Sequence, residues 1–492
     1  MTTASATPTS SVRMWLTLVA LSAPILALSV DMNGVVVLLG DIGGDLGVST
    51  AAAGGIVTVA SVAFAAPLLL IGRAADRFGS RPLLLWGVAL FWVSSAICAF
   101  TGSFAVMMAG RTLQGIASAC CFTTSLAAID AIFDRRRQPI AVGIWGGIGG
   151  LGGAVGPLIA ALIASVWSWR AFFGVNLVLL AVAFLALFLL VPTLPRDATR
   201  ALPILPLVVL MIGIAGTIGG IQHVSSGGWV SFATIIPISV GVIALGTLWF
   251  LRKPDAPLVL RSVSSNIAFR VGTAVATLSN WGSGVVMVLV PIALQSVRGA
   301  SVSETGWIFL GFSAPFALGG ALSGPWINAL GRRSALAVGS LLLTLGTVVL
   351  VFTGVKGSIV PVTIGLIIAG FGNGVVYSAA TSVALVDIDS KNAGEASAVL
   401  SMVRVIGLAL AVAISTSVAL VDIDSKNAGE ASAVLSMIRV IGLALAVAIS
   451  TSVMSQFDGA TGQAGLRAVL VASAIITAIG IPVAGRLRTA SK

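Results

Sequence analysis

Asp31 stands in the stretch LALSVDMNGVVVL, residues 26–38, and is its only charged side chain. Arg111 opens RTLQGIASA inside another apolar stretch, with Gln114 at i+3, Gly115 at i+4 and Ser118 at i+7. On a helix these share one face, a polar stripe on an apolar cylinder. An arginine in hydrocarbon costs at least about 2.5–3.5 kcal/mol. Arg111 must therefore meet a water-filled cavity or a partner, unless it snorkels to an interface roughly 10 Å away. Asp31 lies about 17 residues into its stretch, roughly 25 Å at 1.5 Å per residue, at a depth close to that of Arg111. Taking a carboxylate out of water disfavours its charged form, and a nearby cation favours it. Such a group can take up and release a proton, or attract a cationic ligand; paired permanently, it would serve structure alone. Among the 16 acidic residues, Asp31 is the one well inside an apolar stretch; Asp130 sits at the end of its own.

The elements that must position these charges are membrane-spanning helices. The 492-residue chain is 58% hydrophobic and 9% charged, with a mean hydropathy of +1.10, whereas a soluble domain carries about 25% charged residues. Windows of about 20 apolar residues, each long enough to cross a hydrocarbon core of about 30 Å, fall near 14–38, 52–72, 82–101, 104–128, 140–165, 171–191, 203–221, 232–251, 270–294, 306–327, 335–353 and 358–380. More follow beyond Thr381. Residues 1–12 are Ser/Thr-rich without an apolar core and read as a tail rather than a signal peptide. Cys98, Cys120 and Cys121 lie in apolar windows and indicate neither a disulfide framework nor a metal site.

The net charge of +11 is a topological signal rather than a nucleic-acid footprint. One set of alternate loops, from Arg13 through Arg73, Arg77 and Arg81 to Arg332 and Arg333, carries fifteen basic residues. The other set carries three, Arg170, Arg298 and Lys356. The positive-inside rule then places the N-terminus in the cytoplasm.

Two repeats mark the chain. GRAADRFGSR, with Gly72, Asp76, Gly79 and Arg81, is matched at the same offsets by GPWINALGRR, with Gly324, Asn328, Gly331 and Arg333. Matching spacing at matching places relates two helical halves. The second repeat is of another kind: residues 381–415 recur as 416–450 with one change, Val403 to Ile438, and TSV stands at 381–383 and again at 451–453. This is a recent tandem duplication of one loop and one helix. Without it the chain has fourteen spans, the last near 396–415 and 466–485. With both copies inserted there are fifteen, which would put Arg486, Arg488 and Lys492 outside, against the charge rule. One copy is therefore expected not to span in the normal way.

These motifs together resemble the major facilitator superfamily, in its fourteen-span drug:proton antiporter branch. GRAADRFGSR is similar to the superfamily's cytoplasmic loop signature, which implies that Asp76 caps and ion-pairs with neighbouring helix ends and arginines, here Arg77 and Arg81, to gate the transport cycle. Ser80 stands where a basic residue is usual, which implies a weaker clamp. Arg111 resembles the span-four arginine associated with proton coupling, and Asp31 the acid of span one. The ALP that follows that acid in the family is replaced by Leu38, Leu39 and Gly40. GGIGGLGGAVGPLIAA, 146–161, resembles the span-five antiporter signature: Gly152, Gly156 and Pro157 match, while Ala160 and Ala161 replace a glycine pair. Small residues permit close helix approach, and glycine with proline permits bending. The GxGxxG within it follows no strand and does not read as a dinucleotide site.

WRAFFGVN, 169–176, is similar to the branch's entry to span six, with Trp169 as an interfacial anchor. VPIALQ puts Gln295 at the end of span nine, on the helix that the resemblance assigns to the pathway; Asn280, and Asn373 with Tyr377 at i,i+4 on span twelve, are further polar candidates for the cavity beside Gln114 and Ser118. Helix–helix hydrogen bonding is an equal reading for these residues. His223 falls in an outer loop.

The expected fold is an all-α polytopic membrane protein of two six-helix bundles and two linker helices, with the duplicated loop-helix segment near the C-terminus. Its parts are a tail at 1–13, an N-terminal bundle at 14–192, a linker with two spans at 193–262, a C-terminal bundle at 263–488 and a tail at 489–492. The resemblance implies a monomeric, proton-coupled exporter of hydrophobic, cationic drugs in a bacterial plasma membrane, working by alternating access with Asp31 and Arg111 as the coupling pair. Its partners are a small-molecule substrate, protons and the bilayer; no nucleic acid, cofactor, metal or enzymatic chemistry is expected. The alternatives are uptake of a small anion centred on Arg111, and a lipid-handling or sensory membrane protein without a transport cycle.

Overall fold

The computed structural model describes residues 11–407, apart from 135, 195, 199–201, 228–230, 252–258, 260, 297, 354–357 and 390–391. The second copy of the duplication, the span expected near 466–485 and the C-terminal arginines lie outside the described residues. Those residues form helices and connecting turns, with no strand among them. The longer helices are α1 (Ser11–Gly34), α2 (Gly55–Ala65), α3 (Leu68–Phe78), α4 (Ser80–Phe100), α5 (Phe104–Ile132), α6 (Gln138–Val166), α7 (Trp169–Leu190), α8 (Ile204–Gly227), α9 (Phe232–Phe250), α10 (Ile267–Ser296), α11 (Val302–Thr353) and α12 (Ile359–Leu385). A further helix, α13, covers 393–407.

Among the described residues seven helices are long and apolar enough to cross a membrane, and nine if each of two bent pairs counts as one span. One such pair is α2 and α3, meeting at 43° beside Pro67. In α11 the helical dihedrals break at Gly331, so this long element is two helices. Large apolar side chains point outward all along them: Trp86, Phe100, Phe232 and Phe250 are each more than three-quarters exposed. A water-soluble surface does not carry so continuous an apolar coat; lipid accounts for it. His223 lies within α8, near its end, not in a loop as expected. Trp169 is 4% exposed and packs edge-on against Phe173, so it is a core residue and not an interfacial anchor.

The first seven helices pack together through α1, which touches α5, α6 and α7. Helices α8 and α9 form a pair that leans on α2 and α3. Helix α12 packs against α10 and α11, and α6 joins the two parts by packing against both α11 and α12. Glycines explain why α6 can do so. A Cβ on Gly143 would fall 1.8 Å from the carbonyl oxygen of Gly320, and one on Gly150 would fall 2.2 Å from the Phe316 ring. On the other side, a Cβ on Gly156 would fall 2.8 Å from the Val30 carbonyl. Only hydrogen side chains allow backbones this near.

Candidate functional site

The two buried charges meet. Asp31 on α1 and Arg111 on α5 form an ion pair between Oδ2 and Nη1, with side chains 2% and 0% exposed. Neither is left to one contact. The Asn176 amide of α7 donates to Asp31 Oδ1 at 3.1 Å. Arg111 donates from Nε to the Ile56 carbonyl at 3.3 Å and from Nη1 to Gln114 Oε1 at 2.7 Å, while its Nη2 has no hydrogen-bond partner. Gln114 in turn donates to Ser95 Oγ at 2.9 Å. The Phe173 ring lies 5.9 Å from the guanidinium. Beside this network Val35, Leu38, Cys98, Met107, Phe172 and Phe173 form a buried apolar cluster. Arg111 therefore finds a partner and does not snorkel. Ser118, one turn beyond Gln114, is buried at 2%.

The antiporter-like stretch of α6 sits directly against the acid's helix. Cβ atoms on Gly152 and Gly156 would press on Leu26 and Val30 of α1, five residues and one residue before Asp31. Pro157 lies within α6. A change in how α6 packs on α1 thus acts on the backbone that carries the buried carboxylate.

A second cluster joins the two parts at the end where α1 begins. Asp76, 5% exposed, accepts the backbone N–H of Gly394 at 2.8 Å and of Glu395 at 2.9 Å. These are first-turn donors of α13, which lack partners inside their own helix, and a carboxylate there also suits the helix dipole. Arg73 Nε donates to Glu395 Oε2 at 3.0 Å, with side chains 3% and 0% exposed. Gly72 permits the contact: a Cβ there would lie 2.3 Å from Ala398 Cβ and 2.5 Å from the Gly394 carbonyl. Gly79 ends α3 at φ +96°, a conformation that favours glycine. Arg77 stacks near Phe78, and Arg81 donates to the Phe188 carbonyl at 2.7 Å, away from Asp76. Arg73, Glu395 and Asn176 are thus participants that sequence reading passed over.

The internal repeat is visible in the same terms. Gly331 takes φ +83°, as Gly79 takes +96°. A Cβ on Gly324 would lie 2.2 Å from Ile140 of α6, and Asn328 donates to the Arg136 carbonyl at 3.0 Å. Each motif thus grips the start of a helix in the opposite part.

The cavity candidates divide. Asn373, 4% exposed, and Tyr377, partly exposed, share one face of α12, and Tyr377 meets the Phe316 ring edge-on at 5.8 Å. Asn280 of α10 donates to the Arg404 carbonyl at 3.4 Å. Gln295 is exposed near the end of α10, apart from the others. Among the described residues no group of acidic, histidine or cysteine side chains could hold a metal ion.

Comparison with known proteins gives the arrangement a context. The model of the Major Facilitator Superfamily matches residues 19–206 and 207–412. The multidrug resistance protein Stp of Mycobacterium tuberculosis is 27% identical over 401 residues, 81% of this chain and 74% of that protein. The tetracenomycin C resistance and export protein of Streptomyces glaucescens is 28% identical over 341 residues, 68% of this chain and 63% of that one. Among solved structures, the human organic anion transporter MFSD10 aligns with a TM-score of 0.63 at 18% identity, covering 89% of this chain and 99% of its own. The proton:xylose symporter XylE aligns with a TM-score of 0.60 at 16% identity, covering 89% and 95%; at such identities the likeness is one of fold.

Proposed function

Because the chain belongs to the major facilitator superfamily, and is thus a membrane transporter and not an enzyme, we propose that it exports hydrophobic small molecules from a bacterial cell in exchange for protons, with cationic drugs and dyes as its substrates. The N-terminus lies in the cytoplasm, and the chain acts as a monomer whose working parts are the bundles at 14–192 and 263–488, with 193–262 as linker. Resistance and export functions named for the similar proteins support the direction of transport.

The observation that carries the coupling scheme is the buried ion pair of Asp31 with Arg111, shared with Asn176. Three helices meet at this one carboxylate. A proton arriving from outside neutralises Asp31 and releases Arg111 and Asn176 from it, which loosens α1 against α5 and α7. Release of the proton to the cytoplasm restores the pair. The latch of Asp76 on α13 and of Arg73 on Glu395 holds the cytoplasmic ends together in the described conformation, so opening toward the cytoplasm requires it to part. Uptake of an anion centred on Arg111 is disfavoured, because the Asp31 carboxylate already neutralises that guanidinium.

The test is proton-gradient-driven accumulation of ethidium in everted membrane vesicles carrying the chain. Accumulation that collapses with nigericin, and is lost in Asp31→Asn, is the expected result. Gradient-dependent accumulation persisting at wild-type level in Asp31→Asn removes this carboxylate from the mechanism.

A further inference from the structure

Helix α13 carries a further buried cation, for which the coupling scheme has no use. Arg404 is 2% exposed, and among the described residues no carboxylate pairs with it. Its Nη2 donates to the Tyr377 carbonyl at 2.9 Å and to Thr381 Oγ1 at 2.7 Å, and the guanidinium lies 4.1 Å from the centroid of the Tyr377 ring. Nε and Nη1, by contrast, have no hydrogen-bond partner, and neither has Asn373 Oδ1, one turn from Tyr377 on α12. A desolvated guanidinium with two of its nitrogens idle is costly unless something with a negative or strongly accepting oxygen comes to it.

The place matters as much as the charge. Arg404 lies about 10 residues into α13, roughly 15 Å from the latched end, and Tyr377 lies 8 residues, roughly 12 Å, from the corresponding end of α12. Both are therefore near mid-depth, where carriers of this kind hold their cargo between two halves. The Tyr377 ring faces the other half: a Cβ on Gly146 of α6 would lie 2.9 Å from it. Unlike Arg404, Tyr377 is only partly buried. The cluster thus adjoins the line along which the two halves must separate.

We propose that Arg404, stacked on Tyr377 and flanked by Asn373, is a substrate-binding pole of the C-terminal half that takes an anionic oxygen, a carboxylate or phenolate, on an otherwise apolar, ring-bearing substrate. The planar fork of a guanidinium suits two-point binding of such an oxygen pair, and Tyr377 offers a face on which an aromatic body stacks. This deepens the reading of the chain as an exporter by adding acidic aromatic compounds to its cargo, on a pole separate from Asp31. Asn373 Oδ1 then accepts from a hydroxyl beside the anionic oxygen.

The test is equilibrium binding of anthracene-9-carboxylate and of its methyl ester to the full chain in nanodiscs, read by ligand fluorescence. Binding needs no proton gradient, so its outcome is independent of whether Asp31 couples transport. The wild type is expected to prefer the acid over the ester. Arg404→Gln lowers that preference by roughly tenfold or more, the worth of a charge-assisted hydrogen bond, and Arg404→Lys keeps part of it. Residue 439 is the arginine at the same place in the second copy of the duplication; Arg439→Gln is expected to leave the preference intact. Three results would overturn the proposal: equal wild-type binding of acid and ester, an equal loss of both in Arg404→Gln, or loss of the preference in Arg439→Gln alone.

Discussion

Asp31 and Arg111 lie 80 positions apart in the chain and meet as one ion pair with no side chain more than 2% exposed. Burying two charges is itself no gain, since desolvation offsets attraction, but removing one partner leaves the other uncompensated at a cost of about 3–5 kcal/mol. Arg111→Met is therefore expected to reduce the folded fraction recovered from membranes, measured by size-exclusion chromatography. The double variant Asp31→Asn with Arg111→Met recovers that fraction without recovering proton-driven export. A double variant no more stable than the single one would mean that Arg111 is held mainly by Gln114 and the Ile56 carbonyl.

Gly72 and Ala398 allow no side chain between them. Gly72→Ala forces the new Cβ against the α13 backbone at 2.5 Å, where nothing flexible can give way. The prediction is a protein that still inserts but cannot latch: a reporter cysteine replacing Ser397 reacts several-fold faster with a membrane-impermeant maleimide from the cytoplasmic side. Gly40→Ala is the control, since a Cβ there meets nothing within 4 Å.

At Asp76 the two carboxylate oxygens serve two different N–H groups, those of Gly394 and Glu395. Asp76→Asn keeps one acceptor and loses the charge that favours a helix N-terminus, so it costs the latched state about 1 kcal/mol. Asp76→Ala loses both acceptors and costs about 2 kcal/mol. Cysteine reactivity at residue 397 should therefore rise in the order wild type, Asn, Ala. A reversed order would show that Asp76 holds the latch by some contact other than the helix cap.

The features legible in the sequence share one physical cause: the expense of polarity in hydrocarbon. Asp31 and Arg111 stood out because each is a lone charge in a long apolar window, and their matching depths already pointed to each other. Gly79 and Gly331 stood out through spacing, and both take the left-handed conformation that makes the spacing necessary. Asn176, Glu395 and Arg404 were passed over for different reasons. Asn176 is uncharged and sits within a motif read for its tryptophan. Glu395 belongs to a loop-like polar run, and only the packing of α13 on α3 turns it into a buried residue. Arg404 lies within 381–415, a stretch whose near-identical copy, 416–450, directs attention to the repeat rather than to the cation inside it. The family resemblance implied that Arg81 pairs with Asp76, but beyond the positive-φ turn at Gly79 it donates to the Phe188 carbonyl instead.

The duplication yields the last prediction. Residues 392–395 of the first copy make the latch in the described structure, while residues 427–430 offer the same Asn-Ala-Gly-Glu in sequence. If the first copy is the working one, Glu395→Gln weakens the latch by about 1.5–3 kcal/mol, the worth of a hydrogen bond to a charged group, and Glu430→Gln has no effect on cysteine reactivity at residue 397. Deleting 416–450 is expected to leave fourteen spans and to bring Arg486, Arg488 and Lys492 to the cytoplasmic side, in keeping with the charge rule. The deletion variant is expected to export ethidium at least as fast as the full chain, with a cysteine at residue 491 labelled from the cytoplasm alone. Loss of export on deletion would show that the second copy has a place in the cycle that the first cannot fill.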